Sequence, residues 1–300
     1  MRFERLDLNL LVALSVLIEE RSVSAAAKRL YLSQPAVSGA LNRLREFFGD
    51  DLLVQSGRQM VLTPKAEDLA GPVADALMLI RTRITTPAKF DPATAERTFR
   101  VITSDYVLTV LLSGVFAELA PIAPGVNFEL LFPEERTMEL LERGEADLLI
   151  TIDTHVRADF PQTRLFDDVH AVICWTGSRY ADGIDAEAFC AAGHAVSYFG
   201  PARTPAFSEV YFEQHQIERR AEVAVPSFTM LPQVVVGTNR LATLQKRYAD
   251  YWARTLPITV MPVPFKVPTL HEVAQWHPMR AQDAGLQWLV KFIQERAALL

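Results

Sequence analysis

The strongest constraint on the fold is a pair of short helical segments joined by a tight turn, within residues 22–48. Ser22 and Ser24 are both good N-caps for the first segment, and Ser33 is a good N-cap for the second. Pro35 falls in the first turn of the second helix, where its missing N–H costs nothing. Two such helices, with small polar side chains at the start of the second, are typical of a helix-turn-helix.

The second helix has two chemically different faces. Apolar side chains at helical spacing form a stripe that we expect to be buried: Val37, Leu41, Leu44 and Phe48. The opposite face presents small and polar residues: Gln34 at the tip, then Pro35, Ser38, Gly39 and Asn42. An amide side chain can bond adenine bidentately in the major groove, and a serine can bond either base edge. We interpret this face as DNA-reading, although the helix pattern alone leaves open a structural three-helix bundle with a solvated polar face.

Further DNA contacts are expected around this helix. Ser33 and the N–H groups of the first turn are placed to face a phosphate. Two β-prone runs within residues 52–62 predict a hairpin with Arg58 at its tip, and a hairpin directly after a reading helix is a wing. Arg58 is therefore expected to reach the minor groove or a phosphate. The candidates for contacts to the DNA backbone are Lys28, Arg29, Arg43 and Arg45.

A long helix follows the hairpin. Thr63 is its N-cap and Pro64 its first residue. Apolar residues then recur at steps of three and four, as in a coiled coil, and include Leu69, Val73, Leu77, Ile80 and Ile84. We interpret this seam as a dimerisation surface; packing of the helix against its own body is the alternative.

The charge of the chain is distributed unevenly. The 300 residues include 30 Lys and Arg against 36 Asp and Glu, and this net charge of −6 argues against a nucleic-acid binder. Residues 1–90, however, hold twelve basic and ten acidic residues, a net charge of +2, whereas residues 91–300 have a net charge of −8. A basic N-terminal module on an acidic body restricts DNA binding to the first part of the chain.

One motif runs through the helix-turn-helix and into the long helix: Ala26-Ala27-x-x-Leu30-x-x-Ser33-Gln34-Pro35-Ala36-Val37-Ser38-x-x-Leu41-x-x-Leu44, then Leu62-Thr63-Pro64. With this motif, residues 5–85 resemble the LysR-type transcriptional regulators without a gap. The run Asn42-Arg43-Leu44-Arg45 is similar to the branch that holds the nodulation regulators and the salicylate- and chlorophenol-responsive activators. Many members have Arg where this chain has Gly39, so one base contact is expected to be absent or shifted.

The C-terminal part predicts an α/β fold. Strand and helix patterns alternate from Phe99 to a terminal helix at residues 283–298, which implies α/β layers with parallel strands. Ligands of such sheets bind outside the C-terminal ends of the strands. The Pro-containing, aperiodic segment 85–92 is a plausible hinge before this part.

The resemblance implies how these parts are organised. The expected domains are a winged helix-turn-helix in residues 1–63, a linker and dimerisation helix with its hinge in residues 64–91, and an effector-binding domain in residues 92–300. The effector domain would resemble a periplasmic binding protein, with lobe I at about 92–161 and 268–300 and lobe II at about 162–267. The expected fold class is thus α/β with an all-α N-terminal part.

The resemblance also points to effector-binding residues. In the salicylate-responsive relatives, the pocket uses a hydroxyl after the first strand, the first turn of a second-lobe helix and an Arg after a Leu-Ala-Thr strand. The matching positions here are Thr103, Ser104, Thr204, Pro205, Phe207 and Arg247, while Val169 and Gln275 stand where relatives carry pocket His or Phe. A guanidinium suits a carboxylate or phenolate, and a surface ion pair is the alternative for Arg247. An aromatic acid, a halogenated phenol and a flavonoid-like compound remain candidate effectors.

Other functional classes find little support in the sequence. The six histidines show no H-x-x-x-H spacing, and the sequence contains no phosphate-binding loop, dinucleotide fingerprint or nucleophile elbow, so we expect no metal, no cofactor and no enzyme activity. Cys174 and Cys190 form no C-x-x-C pair and lack an evident resolving arrangement. The sequence contains no signal peptide or membrane-spanning run, which predicts a cytoplasmic protein without membrane contact.

These observations predict a transcriptional regulator, expected to be an activator, that binds promoter DNA and responds to a small aromatic effector. By the resemblance, it would act as a homodimer or homotetramer and contact RNA polymerase. The alternative is a small-molecule binding protein or enzyme with a helical accessory domain and no DNA binding.

Overall fold

The structure is a computed structural model that describes residues 6–57, 59–80, 84 and 89–300. The chain divides into two compact units. Residues 1–87 with 142–144 form the N-terminal unit, and residues 88–141 with 145–300 form the C-terminal unit.

In its described residues, the N-terminal unit contains four α-helices and a two-stranded hairpin. The helices are α1 (Asn9–Glu20), α2 (Val23–Arg29), α3 (Gln34–Phe48) and α4 (Pro64–Leu79), and the strands are β1 (Leu53–Ser56) and β2 (Gln59–Leu62). The two strands pair antiparallel. This is the winged helix-turn-helix with a following linker helix that the sequence predicts.

Side-chain caps determine where three of these helices begin. The Ser22 hydroxyl oxygen accepts the N–H of Ala25 at the start of α2. Ser33 caps α3 in the same way, and the Thr63 hydroxyl accepts the N–H of Ala66 at the start of α4. Each cap satisfies a backbone donor that has no partner within its helix. The predicted caps Ser33 and Thr63 are confirmed, and of the two alternatives for α2 the structure has Ser22.

The apolar seam of α4 lies partly inside its own unit. Val73 and Leu77 are buried in a core shared with α1, and Leu69 packs against that core. Ile80 is half-buried, and Ile84 is 72% exposed. The spacing of the first three residues is therefore accounted for by packing within one chain. Dimerisation through α4 stays a prediction, and among the described residues of the seam Ile84 exposes the most apolar surface.

The C-terminal unit contains two mixed sheets. The first has the strand order β4-β3-β5-β13-β6, and the second has the order β10-β8-β11-β7-β12 with β9 paired to β8. The strands are β3 (Arg97–Ile102), β4 (Val126–Leu131), β5 (Leu148–Ile152), β6 (Gln162–Asp168), β7 (His170–Trp175), β8 (Gly193–Phe199), β9 (Thr204–Pro205), β10 (Arg220–Val225), β11 (Leu241–Gln245), β12 (Ile258–Pro262) and β13 (Leu270–Gln275). We call the part built on the first sheet lobe I and the part built on the second sheet lobe II.

Helices cover these sheets. They are α5 (Asp105–Val107), α6 (Ser113–Ile122), α7 (Thr137–Glu142), α8 (Ala186–Ala191), α9 (Phe207–Gln214), α10 (Leu231–Val235), α11 (Lys246–Trp252) and α12 (Ala284–Ala297), with a π-helical turn Leu108–Leu112 joining α5 to α6. The continuous stretch Asp105–Ile122 is long and apolar enough to span a membrane by length and composition. Of this stretch, 39% is buried, and its buried apolar residues belong to the hydrophobic core of the C-terminal unit.

The expectation of parallel strands is wrong where the chain passes between the lobes. It crosses from β6 to β7 through Val169 alone, and it returns from β12 to β13 through residues 263–269. The strands β7 and β13 pair antiparallel with their neighbours in the two sheets. Because these strands enter their sheets from the other lobe and not after a helical crossover, the chain is not constrained to the parallel direction there.

Candidate functional sites

The face of α3 predicted to read DNA is on the surface. Gln34, Gly39, Asn42 and Arg43 are exposed, as is Pro35, while Ser38 is half-buried. The apolar stripe on the other side of the helix is buried: Val37, Leu41 and Leu44. The structure thus brings the predicted reading residues together on one solvent-facing stripe of a 15-residue helix.

The start of α3 offers polar groups for an anion. Ser33 is exposed, and its hydroxyl oxygen accepts the N–H of Ala36 at 3.4 Å. That hydroxyl can still donate its proton outward, beside the other N–H groups of the first turn. A phosphate at this helix N-terminus would meet both the backbone donors and the favourable end of the helix dipole.

Two of the basic residues around α3 make hydrogen bonds or ion pairs within the N-terminal unit. Arg45 donates from Nε to the carbonyl of Asp51 at 2.7 Å and from Nη2 to the carbonyl of Leu53 at 2.8 Å, so it ties α3 to the first wing strand. Arg29 pairs with Glu19 and Glu20. These two candidates for backbone contacts are therefore used inside the unit. Arg58, the predicted wing-tip contact, lies outside the described residues.

A network around Asp50 holds the wing in place. Its Oδ1 accepts the Thr63 hydroxyl at 2.6 Å and the N–H of Leu52 at 2.7 Å, and these bonds lower the pKa of the carboxyl below its usual value. Asp50 thereby links the end of α3, the start of the hairpin and the N-cap of α4. The wing is expected to keep a fixed position relative to the reading helix.

A cavity of about 560 Å³ lies between the two lobes of the C-terminal unit. It is found at the C-terminal ends of β3, β4, β5, β10 and β11, where ligands of α/β sheets usually bind. Four phenylalanines supply much of its apolar lining: Phe132, Phe199, Phe207 and Phe228. Its size and lining suit a small aromatic molecule.

Four of the predicted effector residues line this cavity. Ser104 follows β3 in lobe I, while Thr204, Pro205 and Phe207 lie at β9 and the start of α9 in lobe II. The Ser104 hydroxyl oxygen also accepts the N–H of Val107 as the cap of α5. The resemblance therefore identified groups on both walls of one cavity.

The other four predicted effector residues do not line the cavity. The Arg247 guanidinium donates to the backbone carbonyl of Leu300 at 2.7 Å and lies within 3.4 Å of the carbonyl of Asp167. The Gln275 side chain is fully buried and exchanges two hydrogen bonds with the backbone of Arg157, at 3.0 and 2.7 Å. These two side chains are used by the fold, so the structure gives them no place in ligand contact.

Thr103 and Val169 are displaced from the cavity for other reasons. Thr103 is buried, one residue before the position that reaches the lining. Val169 is 45% exposed and is the single residue that joins β6 to β7. Both residues lie just outside the strands, and neither side chain is part of the cavity lining.

The crossing at Val169 is held by buried hydrogen bonds. The Asp168 carboxylate accepts the Tyr106 hydroxyl at 2.7 Å from lobe I and the N–H of Arg247 at 3.1 Å from lobe II. Burial raises the pKa of Asp168 above its usual value. Beside it, burial lowers the pKa of His170 to about 4, and the neutral imidazole stacks on Phe207 with ring centroids 5.8 Å apart.

Two polar residues that the sequence did not single out also line the cavity. Glu272 and Gln245 are buried, and the Glu272 Oε2 and Gln245 Oε1 atoms have no hydrogen-bond partner in the part of the chain that the structure describes. Gln245 stands two residues before Arg247 in the motif that the resemblance indicated. Glu272 lies in β13, a strand that the alternating patterns did not reveal.

The described residues contain no group of three or more His, Cys, Asp or Glu side chains that could hold a metal ion. Both cysteines are free; Cys174 is buried and Cys190 is exposed. Burial raises the pKa of the Cys174 thiol, which disfavours the reactive thiolate.

Comparisons with known proteins agree with this two-part organisation. Residues 8–67 match the model for the bacterial regulatory helix-turn-helix protein, lysR family, and residues 92–298 match the LysR substrate binding domain. The chain is 38% identical over 299 residues to Nodulation protein D 1 of Rhizobium meliloti (strain 1021), covering 99% of this chain and 97% of that protein.

Solved structures share the fold. A probable transcriptional regulator from Pseudomonas aeruginosa matches with a TM-score of 0.65 and 26% identity over 98% of both chains. CbnR, a LysR family transcriptional regulator, matches with a TM-score of 0.60 over 97% of this chain and 99% of its own; at 14% identity this likeness concerns the fold alone. The two matched domains assign the chain to DNA-binding transcriptional regulators and not to enzymes. The chain belongs to the lysR family of bacterial regulatory helix-turn-helix proteins.

Proposed function

We propose that this regulator is a transcriptional activator controlled by a small aromatic effector that binds between the lobes of the C-terminal unit. The observation that carries the proposal is the cavity of about 560 Å³, which combines four phenylalanines with a few polar groups from both lobes. A ligand that contacts both walls binds the closed arrangement of the lobes better than an open one, and so shifts the population toward it.

Sequence-specific binding to promoter DNA is assigned to the exposed stripe of α3. Gln34 and Asn42 supply amide side chains for base edges, and Ser38 supplies a hydroxyl. Arg43 is exposed and has no hydrogen-bond or ion-pair partner among the described residues, so it is available for a DNA phosphate. Ser33, Pro35 and Gly39 allow the backbone of the helix to approach the DNA closely.

We further propose that the protein acts in the cytoplasm as a homodimer or homotetramer that contacts RNA polymerase. Leu79 and Ile80 at the end of α4, and Ile84 later in the chain, are apolar and at least partly exposed. A second copy of the chain would bury them.

DNA binding is tested with a gel shift on the region upstream of the protein's own gene. The double variant Gln34→Ala with Ser38→Ala is expected to lower affinity for the specific site at least about tenfold, because lost base contacts cost about 1–3 kcal/mol each. Gln214→Ala, an exposed glutamine on α9, is the matched control and is expected to leave binding unchanged. Binding that is indifferent to the double variant, or to salt, would overturn the assignment.

Effector binding is tested by thermal shift of the full chain with aromatic acids, phenols and polyphenols. A ligand of the native state raises the unfolding temperature in proportion to its occupancy. Phe207→Ala is expected to abolish the shift, because the phenyl ring lines the cavity directly. Phe292→Ala, a phenylalanine on α12 that does not line the cavity, is the control.

A further inference from the structure

We infer that Glu272 determines effector specificity, and that the effector is an uncharged aromatic compound with a hydrogen-bond acceptor, such as a carbonyl oxygen, placed against this residue. The inference rests on the proposed effector cavity and names the chemistry that the cavity selects. It excludes the aromatic carboxylate that an Arg247 contact would have favoured.

The position of Glu272 directs it into the cavity. Strand residues two apart share a face, and both Leu270 and Glu272 of β13 line the cavity. Glu272 is only 3% exposed, and its Oε2 has no hydrogen-bond partner among the residues that the structure describes. A buried polar atom without a partner is costly, so a ligand that satisfies it gains affinity.

The rest of the lining carries no positive side chain to receive an anion. Among the described residues of the cavity wall, the ionisable groups are Asp105, Glu134, Glu135, His155 and Glu272, without any Lys or Arg. A carboxylate in this cavity would lose its hydration and gain no counter-ion.

Asp105, the other buried acid of the lining, is already satisfied. Its Oδ2 accepts the N–H and the hydroxyl of Thr229, both at 2.7 Å, and its Oδ1 accepts the N–H of Tyr106. These bonds join lobe I to the turn before α10 in lobe II. Glu272 is therefore the buried acid of the lining that remains open to a ligand.

The surroundings of Glu272 favour its protonated form. Burial, followed by the nearby Asp168 and Asp153 carboxylates, raises the pKa of Glu272 to about 8. The group facing it from α5 is the Tyr106 hydroxyl, which donates its proton to Asp168. At neutral pH the Glu272 carboxyl is thus mainly uncharged, and its O–H can donate a hydrogen bond to a ligand oxygen.

Gln245, which lines the same cavity from the end of β11, completes the recognition. Its Oε1 has no partner among the described residues, so it can accept a hydroxyl proton from the same ligand. A donor from Glu272 and an acceptor in Gln245, set among phenylalanines, match an aromatic ring that carries a carbonyl and a hydroxyl group. Such a ligand satisfies both buried atoms without bringing a charge into the cavity.

The test uses three ligands of similar size and different charge: acetophenone, benzoate and benzylamine. Binding to the full-length protein is measured at pH 7 by ligand-observed NMR at millimolar concentrations. We expect acetophenone to bind at least about tenfold more tightly than benzoate, because an unpaired buried charge costs more than a satisfied neutral group. Tightest binding by benzoate, or by benzylamine with release of a proton, would overturn the inference.

Variants separate the role of Glu272 from general packing. Glu272→Gln keeps a hydrogen-bond donor of the same shape and is expected to hold acetophenone within about threefold of wild type, whereas Glu272→Ala is expected to lose about tenfold. Glu134→Ala removes an exposed acid of the same cavity wall and serves as the matched control, with no expected loss. Equal acetophenone affinity in wild type and Glu272→Ala would contradict the inference.

A pH series provides a readout that packing does not produce. Acetophenone has no titrating group, so its affinity for wild type is expected to be constant below pH 7 and to fall through pH 8 as Glu272 ionises, approaching tenfold per pH unit. The Glu272→Gln variant is expected to be flat over the same range. A flat wild-type profile would contradict the donor role.

The two proposals fail in distinguishable ways. If wild type binds acetophenone but the Glu272 variants do not differ, the effector cavity stands and the specificity assignment fails. If wild type binds none of the three ligands, both the effector cavity and the assignment fail. The gel shift of Glu272→Ala is expected to match wild type without effector, since Glu272 belongs to the C-terminal unit.

Discussion

The reading face of α3 and the cavity of the C-terminal unit are assembled in opposite ways. The reading residues lie within ten positions of one helix, are largely exposed and use few internal hydrogen bonds. The cavity takes its lining from the ends of many strands in two sheets, and several of its polar groups, Asp105, Gln245 and Glu272, are buried. One helix can supply a surface that binds a large polyanion, whereas a pocket that encloses a small molecule needs residues from several strands and helices.

The two regions also use cations differently. Arg43 on α3 is exposed and free to meet a phosphate. In the C-terminal unit, the buried guanidinium groups are paired within the fold: Arg97 with Asp283, Arg280 with Asp147, and Arg219 with Glu209. The reading face of α3 thus offers positive charge to DNA, whereas these arginines of the C-terminal unit form ion pairs that stabilise the fold.

The largest expected effect comes from breaking a scaffold pair. Arg97 donates two hydrogen bonds of 2.7 Å to Asp283, and although burial alone would raise the pKa of Asp283, the guanidinium holds it below the usual value. Arg97→Ala removes both short hydrogen bonds and leaves this buried carboxylate with only the Arg280 guanidinium, at 3.5 Å, so it is expected to cost about 3 kcal/mol of unfolding free energy. The measurement is chemical denaturation of the full chain.

Arg100 supplies the matched control for this experiment. It lies on the same strand, β3, and pairs with Glu129 at 2.7 Å, but both side chains are about half exposed. Arg100→Ala is expected to cost no more than about 1 kcal/mol. Equal losses of unfolding free energy in the two variants would show that burial of an ion pair does not increase its contribution to stability.

Arg43 and Arg45 allow a sharper comparison within α3. Arg45→Ala removes two hydrogen bonds to the backbone of residues 51 and 53 and is expected to cost about 1.5–3 kcal/mol of stability, because the donor is charged. Arg43→Ala is expected to leave stability unchanged and to reduce the salt dependence of DNA binding by about one phosphate contact. Denaturation and gel shifts at several salt concentrations measure both effects. Similar behaviour of the two variants would remove the distinction between structural and DNA-facing arginines.

Gly39 tests whether the reading face is shaped for close approach. A Cβ at this position would meet no heavy atom within 4 Å, and glycine inside a helix costs about 1 kcal/mol relative to alanine. Gly39→Ala is therefore expected to raise stability by about 1 kcal/mol and to weaken DNA binding. Gly114→Ala in α6, equally free of neighbours, should give the same stability gain without any effect on DNA. Unchanged or tighter DNA binding by Gly39→Ala would mean that the glycine serves no contact.

The sequence predicts features that are formed by residues close together in the chain better than features that are formed by distant strands. The caps Ser33 and Thr63 and the buried stripe of α3 depend on helical spacing within a few residues, so local patterns specify them. Glu272 depends on the return of the chain to lobe I in β13, which no local pattern reveals. The α4 seam is an intermediate case: its spacing predicts an apolar contact, but spacing alone cannot say whether α1 or a second chain covers it.

Arg247 belongs to a motif that was located correctly, but its side chain does not make the predicted effector contact. Its substitution has the smallest expected effect. The Leu-Ala-Thr strand leads to the cavity as expected, but Gln245 lines it, and Arg247 donates to the carbonyl of Leu300 instead. Because the guanidinium is only half-buried, Arg247→Ala is expected to cost about 1 kcal/mol of stability. Acetophenone affinity should stay within about twofold of wild type, and benzoate should remain the weaker ligand. A tenfold loss of benzoate affinity in this variant would instead establish a guanidinium–carboxylate contact, and would move the effector class from uncharged aromatics back to aromatic acids.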